Sequence, residues 1–570
     1  MKPTLLIVLC ALALSATAQK PQVKWGEEFK LRKGSTDLET IQADNSGVYL
    51  QEGHLAMKSY FVIGAILRES ATLIKLDKNL SEVYRNDFNK ELKGKEFVQF
   101  FPLQDKLFLL ASEYIKREKM LNIYGAEINK NSGEISGNWI SLTSLQKEEK
   151  GDDINFKFTI NADSSRMILV SSVEGKEHNE YKIQEFDKAL KSTARAINIS
   201  NEFDPKTFQL EDVLYTSNKK VFLVGRRYEY QEGKKKKDKF LDFARYNIRM
   251  YNDQGKQQTE INTEVNGKWL TSTKLVQEKN KDIVLLAFYN DSKKSKTIDG
   301  MLVQRIDPNS GQVVSTSEKA INNSLLSADI DAPDDADADD KETKAERKER
   351  ERLNKMKDEG EAFSKYMQFR NVFYTADNGL VILAEKYHQY TYTSQSYTPG
   401  VNGSMGQWSS TVYSVYECGD LLMCKIDAGG NIGWLQIVPK AQREVISGGS
   451  GTGLAVTFFD ASNRPFYAGF GAMQTNNTIN IIFNDHSKNT DITQAGQKAR
   501  SINSYRSSNC YLVSLDAATG KCKRSILYSN SDVPTSMPRL GSVLDQSMYI
   551  VGKDDRLFGK SKLAVGRIAL

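Results

Sequence analysis

Histidine, cysteine and proline are scarce in this chain of 570 residues, which holds only four, five and eleven of them. The histidines are His54, His178, His388 and His486. None stands in an H-E-x-x-H or G-x-S-x-G context, so neither a zinc-protease helix nor a nucleophile elbow is encoded. Four cysteines follow the N-terminal apolar run: Cys418, Cys424, Cys510 and Cys522. Their spacing lacks the C-x2-C pairs of a zinc site, and they are too few for a disulfide framework. An even number in an oxidising compartment still permits bridges, in any of three pairings. Charge of one sign is lacking as well: a net +6 over this length implies neither nucleic acid nor an anionic membrane as partner. No metal and no cofactor is expected.

Long apolar runs are missing too, apart from one. MKPTLLIVLCALALSATAQ opens with a lysine, an apolar run from Leu5 to about Ala16 and the small-residue triplet Ala16-Thr17-Ala18. That pattern predicts a secretory signal peptide over 1–18, cut after Ala18, since the run falls short of the roughly 20 apolar residues that span a bilayer. Cys10 follows Leu9 and not the small residue of a lipoprotein cleavage site. The remainder, 19–570, is expected to be exported, without a transmembrane segment.

What the chain does have is repetition. IKLDKNLSEV (74–83), AEINKNSGEI (126–135), QRIDPNSGQV (304–313), KIDAGGNIGW (425–434) and VSLDAATGKC (513–522) each end an apolar strand on an Asp or Asn turn and pass into a more polar strand. Asp and Asn bond their own backbone two residues on, and Gly takes the positive-φ position that closes a hairpin. Before each such turn comes a short polar turn and a dense apolar run, as in QDKLFLLA (104–111), KNKDIVLLAF (279–288), ADNGLVILAE (376–385) and LDQSMYIVG (544–552). These runs do not alternate, so both faces of the strand are buried, and their length and β-branched content favour strand over helix. The unit is a four-stranded antiparallel sheet, A-B-C-D, repeating every roughly 50–65 residues outside the insertions. An all-β propeller follows, eight-bladed by the copies laid out, or seven-bladed if the first or last is degenerate. KLAVGRIAL (562–570) ends on a C strand, so VKWGEEFKLR (23–32) is expected to complete the last blade from outside and cover its edge.

DAGGNIGW (427–434) resembles the D-x-x-G-N-x-x-W punctuation of bacterial secreted β-propeller repeats, and LDAATGKCKR (515–524) and IDPNSGQVVS (306–315) resemble the quinoprotein-type D-x-x-[TS]-G turn. The tryptophan of the pattern is replaced by Arg524 in one and Ser315 in the other, and the adjacent cysteine pair of quinone-dependent dehydrogenases is missing. The resemblance implies a fold, not a chemistry.

All the elaboration falls in B–C and D–A connections, at about 228–244, 322–366, 387–419, 440–465 and 485–508, which in such a blade share one face of the disc. Long loops on a rigid scaffold are where binding usually resides. The Tyr/Ser/Gly-rich segment at 387–419 offers Tyr387, His388, Tyr390, Tyr392, Tyr397, Trp408, Tyr413 and Tyr416, rigid amphipathic rings among small hydrogen-bonding residues. They could grip a partner or pack across a hairpin. His388 and His486 both begin B–C loops of adjacent blades, with Asp485 and Arg506 near in the chain. Asp335, Asp337, Asp339 and Glu346 fall at calcium-loop spacing, but Asp340 holds the glycine position. The tract at 322–366 is therefore read as a solvated acidic stretch followed by a short charged helix. EGKKKKDKF (232–240) is read as a solvated tip, and SGGSGTG (447–453) as linker.

Two functions remain. One is a non-enzymatic binding or scaffold propeller of the cell envelope, a monomeric domain within a larger assembly, engaging a protein or glycan through its long loops. The other is a propeller enzyme: a glycan hydrolase or lyase acting on an exported polymer through a carboxylate pair that includes residues such as Asp460, or a quinoprotein-like oxidoreductase. Scarce histidine and the lack of catalytic motifs favour the first. The signal and the use of the C-terminus by the last blade suggest a Gram-negative periplasm or outer envelope.

Overall fold

The computed structural model describes residues 21–570 except 33–34, 61–63, 148, 150–151, 161–164, 176–178, 194–195, 202–206, 217, 233–238, 263, 266–267, 278–281, 292–297, 322–366, 399–406, 449–463, 503, 545 and 555–561. Eight separate antiparallel sheets follow one another along the chain, and in all but the last the strands of the main path are ordered as they occur in sequence, so the protein is an eight-bladed β-propeller. Blade 1 is built from Ser35–Asp44, Gly47–Tyr60, Gly64–Leu76 and Glu82–Asp87. Blade 8 has Thr535–Leu544, Ser547–Asp554 and Lys562–Ala569, and its fourth strand is Gln22–Trp25 from the other end of the chain, antiparallel to Lys562–Ala569. The ring is thus closed by the N-terminal strand, as the orphan C strand required. Trp25 fills a slot left by two glycines of blade 8: a Cβ on Gly552 would lie 2.5 Å from its ring and one on Gly566 3.0 Å.

The dense apolar runs are the second strands, and they are buried along their length. Ile283–Asn290 of blade 5 is buried at every residue, because each face of a blade packs on a neighbouring blade. The cores accordingly lie between blades; one cluster joins Val284, Leu286 and Phe288 of blade 5 to Leu380, Ile382 and Ala384 of blade 6.

The recurrent C–D turns clasp the blades together. In five of them the positive-φ glycine abuts the outer strand of the preceding blade: Gly133 meets Tyr84, Gly255 meets Asn198, Gly311 meets Thr259, Gly430 meets Ser315 and Gly520 meets Trp434. Donors from the preceding blade also seek the turn carbonyls. Lys75 Nζ reaches Lys130 O at 3.0 Å, Arg305 reaches Ala428 O, and Trp434 Nε1 reaches Ala517 O at 3.3 Å. Arg524 replaces the tryptophan in blade 7 for a visible reason. Blade 8 has no C–D turn to clasp, its fourth strand being Gln22–Trp25, and Arg524 turns instead to Asp485 at 2.5 Å.

The A–B turns of all blades and the C–D turns of blades 1–7 are short and the long connections are B–C or D–A, so the one-sided elaboration holds. Cys418, Cys424 and Cys510 are buried free thiols and Cys522 an exposed one, so the disulfides that the even count permits are not formed. Cys418 and Cys424 share strand Gln407–Ile426, where six residues set them about 20 Å apart, far beyond disulfide reach. The acidic tract with its calcium-loop spacing and charged helix, most of the lysine tip, and Asp460 lie outside the described residues.

Candidate functional site

The segment expected as a Tyr-rich loop is a β-hairpin. Strands Leu380–Thr398 and Gln407–Ile426 of blade 6 pair continuously from Leu380↔Ile426 to Thr398↔Gln407, with one bulge between Glu385 and Tyr387. The outer strand Ile432–Val438 kinks at residues 439–441 and resumes as Gln442–Gly448, which pairs with Val412–Cys418. Blade 6 therefore projects a three-stranded ledge beyond the elaborated face.

Register sorts its side chains. His388↔Glu417, Tyr390↔Val415 and Tyr392↔Tyr413 share one face, while Tyr387↔Cys418 and Gln389↔Tyr416 share the other. On the first face His388 Nδ1 lies 3.2 Å from Glu417, the His388 and Tyr390 rings are 5.2 Å apart, and Tyr392 stacks on Tyr413 at 5.0 Å with 13° between planes. On the second face Tyr416 is fully buried and Tyr387 packs at the root. Toward the tip Gln389, Thr391, Thr393 and Val412 are exposed. Tyr397 and Trp408 are backbone register partners in the ladder.

The root of the ledge is a buried polar cluster that sequence reasoning missed. The Glu385 carboxylate, without exposed surface, receives Lys440 Nζ at 2.8 Å and Arg370 Nε at 3.1 Å, and Arg539 Nη1 of blade 8 stands 3.7 Å away. Burial pushes this carboxyl up, but the three cations outweigh burial and hold it below its ordinary value. Lys440 also donates to Gln442, whose amide accepts from Gly469 N at 2.7 Å and donates to Asn484 O at 2.6 Å. Glu444 accepts three backbone N–H groups, from Phe466, Tyr467 and Ala468, at 2.8–3.0 Å, and burial still raises its carboxyl. These bonds pin the return segment 464–470, whose Phe466 enters the cluster of Leu38 and Leu540 from blades 1 and 8, and whose Arg464 pairs with Glu39 at 2.7 Å. Tyr467 stacks on Tyr505 of the blade-7 B–C connection at 5.3 Å.

His388 and His486 have separate local partners. His486 caps the short turn Ser487–Asn489, its Nδ1 accepting from Lys488 N at 3.0 Å, and Arg506 is exposed in the turn Tyr505–Ser507. Asp485 is taken by Arg524 and Asn489. Among the described residues no group of three or more His, Cys, Asp or Glu could hold a metal ion. No described helix is long and apolar enough to cross a membrane.

No family model and no curated protein matches the chain. Solved structures similar to it include the polysaccharide lyase Uly1, 10% identical over 94% of this chain and 99% of the other with a TM-score of 0.32. The β-propeller domain of the Trilobed protease from Pyrococcus furiosus is 10% identical over 88% of this chain and 98% of the other, TM-score 0.30. A protein of unknown function from Dyadobacter fermentans is 8% identical over 73% and 94%, TM-score 0.29. Similarity of this degree carries no argument about what the protein does.

Proposed function

We propose that the protein is a non-enzymatic binding propeller of the cell envelope that engages a protein or glycan through the blade-6 ledge and the long connections around it. The observation that carries this reading is the ledge itself: a paired, pinned β-extension that carries the Tyr392–Tyr413 stack on one face and exposed Thr391, Thr393 and Val412 on the other. Rigid aromatic anchors on a fixed scaffold lose little entropy on binding. The buried acids support the same reading. Glu385, Glu444 and Asp485 are each saturated by cations or backbone donors that hold structure, which leaves none of them poised to move a proton.

The test is a cross-linking pull-down from native envelopes with wild type and the Tyr392→Ser/Tyr413→Ser variant. Point substitutions are preferable to deleting 389–416, because that deletion would remove buried Tyr416 and the strand that pairs with Gln442–Gly448. Loss of a wild-type partner in the variant supports the reading. Identical partners, or turnover of an exported polymer by the purified protein, would replace it.

A further inference from the structure

The first strand of blade 7, Gly471–Thr475, has five residues, against eight in Met367–Tyr374 of blade 6 and ten in Thr535–Leu544 of blade 8. Above this shortened strand, blades 6 and 8 meet although they are not neighbours in the ring. Arg370 and Arg539 both come from first strands, and both stand at register shifts, between Phe369 and Asn371 and between Met537 and Ser542. Bulges of this kind re-aim a side chain and are frequent beside functional sites. Both guanidinium groups approach Glu385 and both lie against the Tyr387 ring, at 4.6 and 5.4 Å. Gly469, at φ +94°, lets Arg539 pass, since a Cβ there would sit 2.8 Å from Nη1.

The cluster is short of negative charge. Three cations, Lys440, Arg370 and Arg539, face Glu385, and Glu444, the next carboxylate, is already occupied by three backbone N–H groups. Arg370 Nη2 and the Tyr505 hydroxyl are buried without a hydrogen-bond partner; Tyr505 is 7% exposed and shares a cluster with Cys418 and Tyr387. Among the described residues Arg539 donates no hydrogen bond; its charge acts on Glu385 and Glu444 and its guanidinium lies over the Tyr387 ring. Unmade donors on two half-buried guanidinium groups, each about a fifth exposed at 20% and 21%, are what a planar anion satisfies two bonds at a time.

We propose that Arg370 and Arg539 form a receptor for a single oxyanion, the carboxylate or phosphate group of a small ligand that enters from the elaborated face. The site is independent of the ledge tip. Calorimetric titration of the full chain with inorganic phosphate, and separately with glucuronate, at matched ionic strength should give saturable one-site binding for at least one of them. Which one binds identifies the source of the anion. Arg539→Gln should weaken binding tenfold or more in a chain whose melting transition shows it still folded, because Glu385 keeps Lys440 and Arg370. Arg539→Lys should restore only part, keeping the charge but not the fork. Tyr392→Ser/Tyr413→Ser should bind the anion as wild type does, so failure of the envelope reading and failure of this site are distinguishable. No saturable binding of either anion, or wild-type binding by Arg539→Gln, would overturn the proposal.

Discussion

The indole of Trp434 in blade 6 lies against Gly520 of blade 7, so close that a Cβ on Gly520 would sit 2.7 Å from the ring. Gly520 also holds φ +73°, so it both forms the turn and receives the neighbouring blade. Gly520→Ala meets two penalties, left-handed strain and displacement of the indole, and should cost about 2 kcal/mol or more. Equilibrium denaturation checks this; a loss under about 0.5 kcal/mol would mean that the clasp carries little.

Glu385 and Lys440 give unequal predictions. Glu385→Gln leaves three cations facing a neutral amide in a buried site, whereas Lys440→Met leaves Glu385 still held by Arg370 and Arg539. The first should cost about 3–5 kcal/mol and the second clearly less. Urea denaturation of both variants tests the order, and equal losses would contradict the shared-carboxylate geometry.

The acid limb should report on Asp377. Lys425 Nζ lies 2.8 and 2.9 Å from its two oxygens, and that ammonium, with the Thr375 hydroxyl, holds the carboxyl down at about 2, below the ordinary 3.8. A depressed carboxylate stabilises fully above its unfolded value, and that contribution is lost as pH falls through the folded one. The melting-temperature gap between wild type and Asp377→Asn should therefore be constant above about pH 5 and close toward about pH 2. A gap that persists at the acid end would exclude the pair as its source.

Closure predicts a large effect from one N-terminal side chain. Trp25 covers Gly552 and Gly566 of blade 8 and meets Tyr528 of blade 7 edge-on at 6.1 Å. Trp25→Ala should cost about 3 kcal/mol or more and expose the outer edge of Lys562–Ala569, which hydrogen exchange in that strand would show. Unchanged exchange there would argue that blade 8 closes without its borrowed strand.

The blades were legible because burial on both faces leaves an unbroken apolar strand, and because the hairpin turns need Asp, Asn and Gly at fixed places. Even the fourth strand of blade 8 could be inferred, from the unassigned strand in VKWGEEFKLR (23–32) ahead of the first A strand. The site was only half legible. Tyr387 and Tyr416 look like Tyr390 and Tyr392 in sequence, yet the two pairs point to opposite faces. That choice depends on cross-strand register and on the bulge after Glu385, which composition does not reveal. Arg370, Glu385, Lys440 and Arg539 carry no spacing signal, since two non-neighbouring blades bring them together over a shortened strand. Arg524 stood in plain view as a departure from the repeat, but its meaning required the absence of a C–D turn in blade 8.

A hydrogen-exchange footprint of the native partner on the full chain tests the central claim most directly. Binding should slow exchange in the ledge strands, at 386–398 and 407–418, and leave the C–D turns unchanged. The Tyr392→Ser/Tyr413→Ser variant should bind at least about 30-fold more weakly, as loss of aromatic anchors worth about 2 kcal/mol requires. Protection confined to the C–D turns, with full affinity in the variant, would contradict the account.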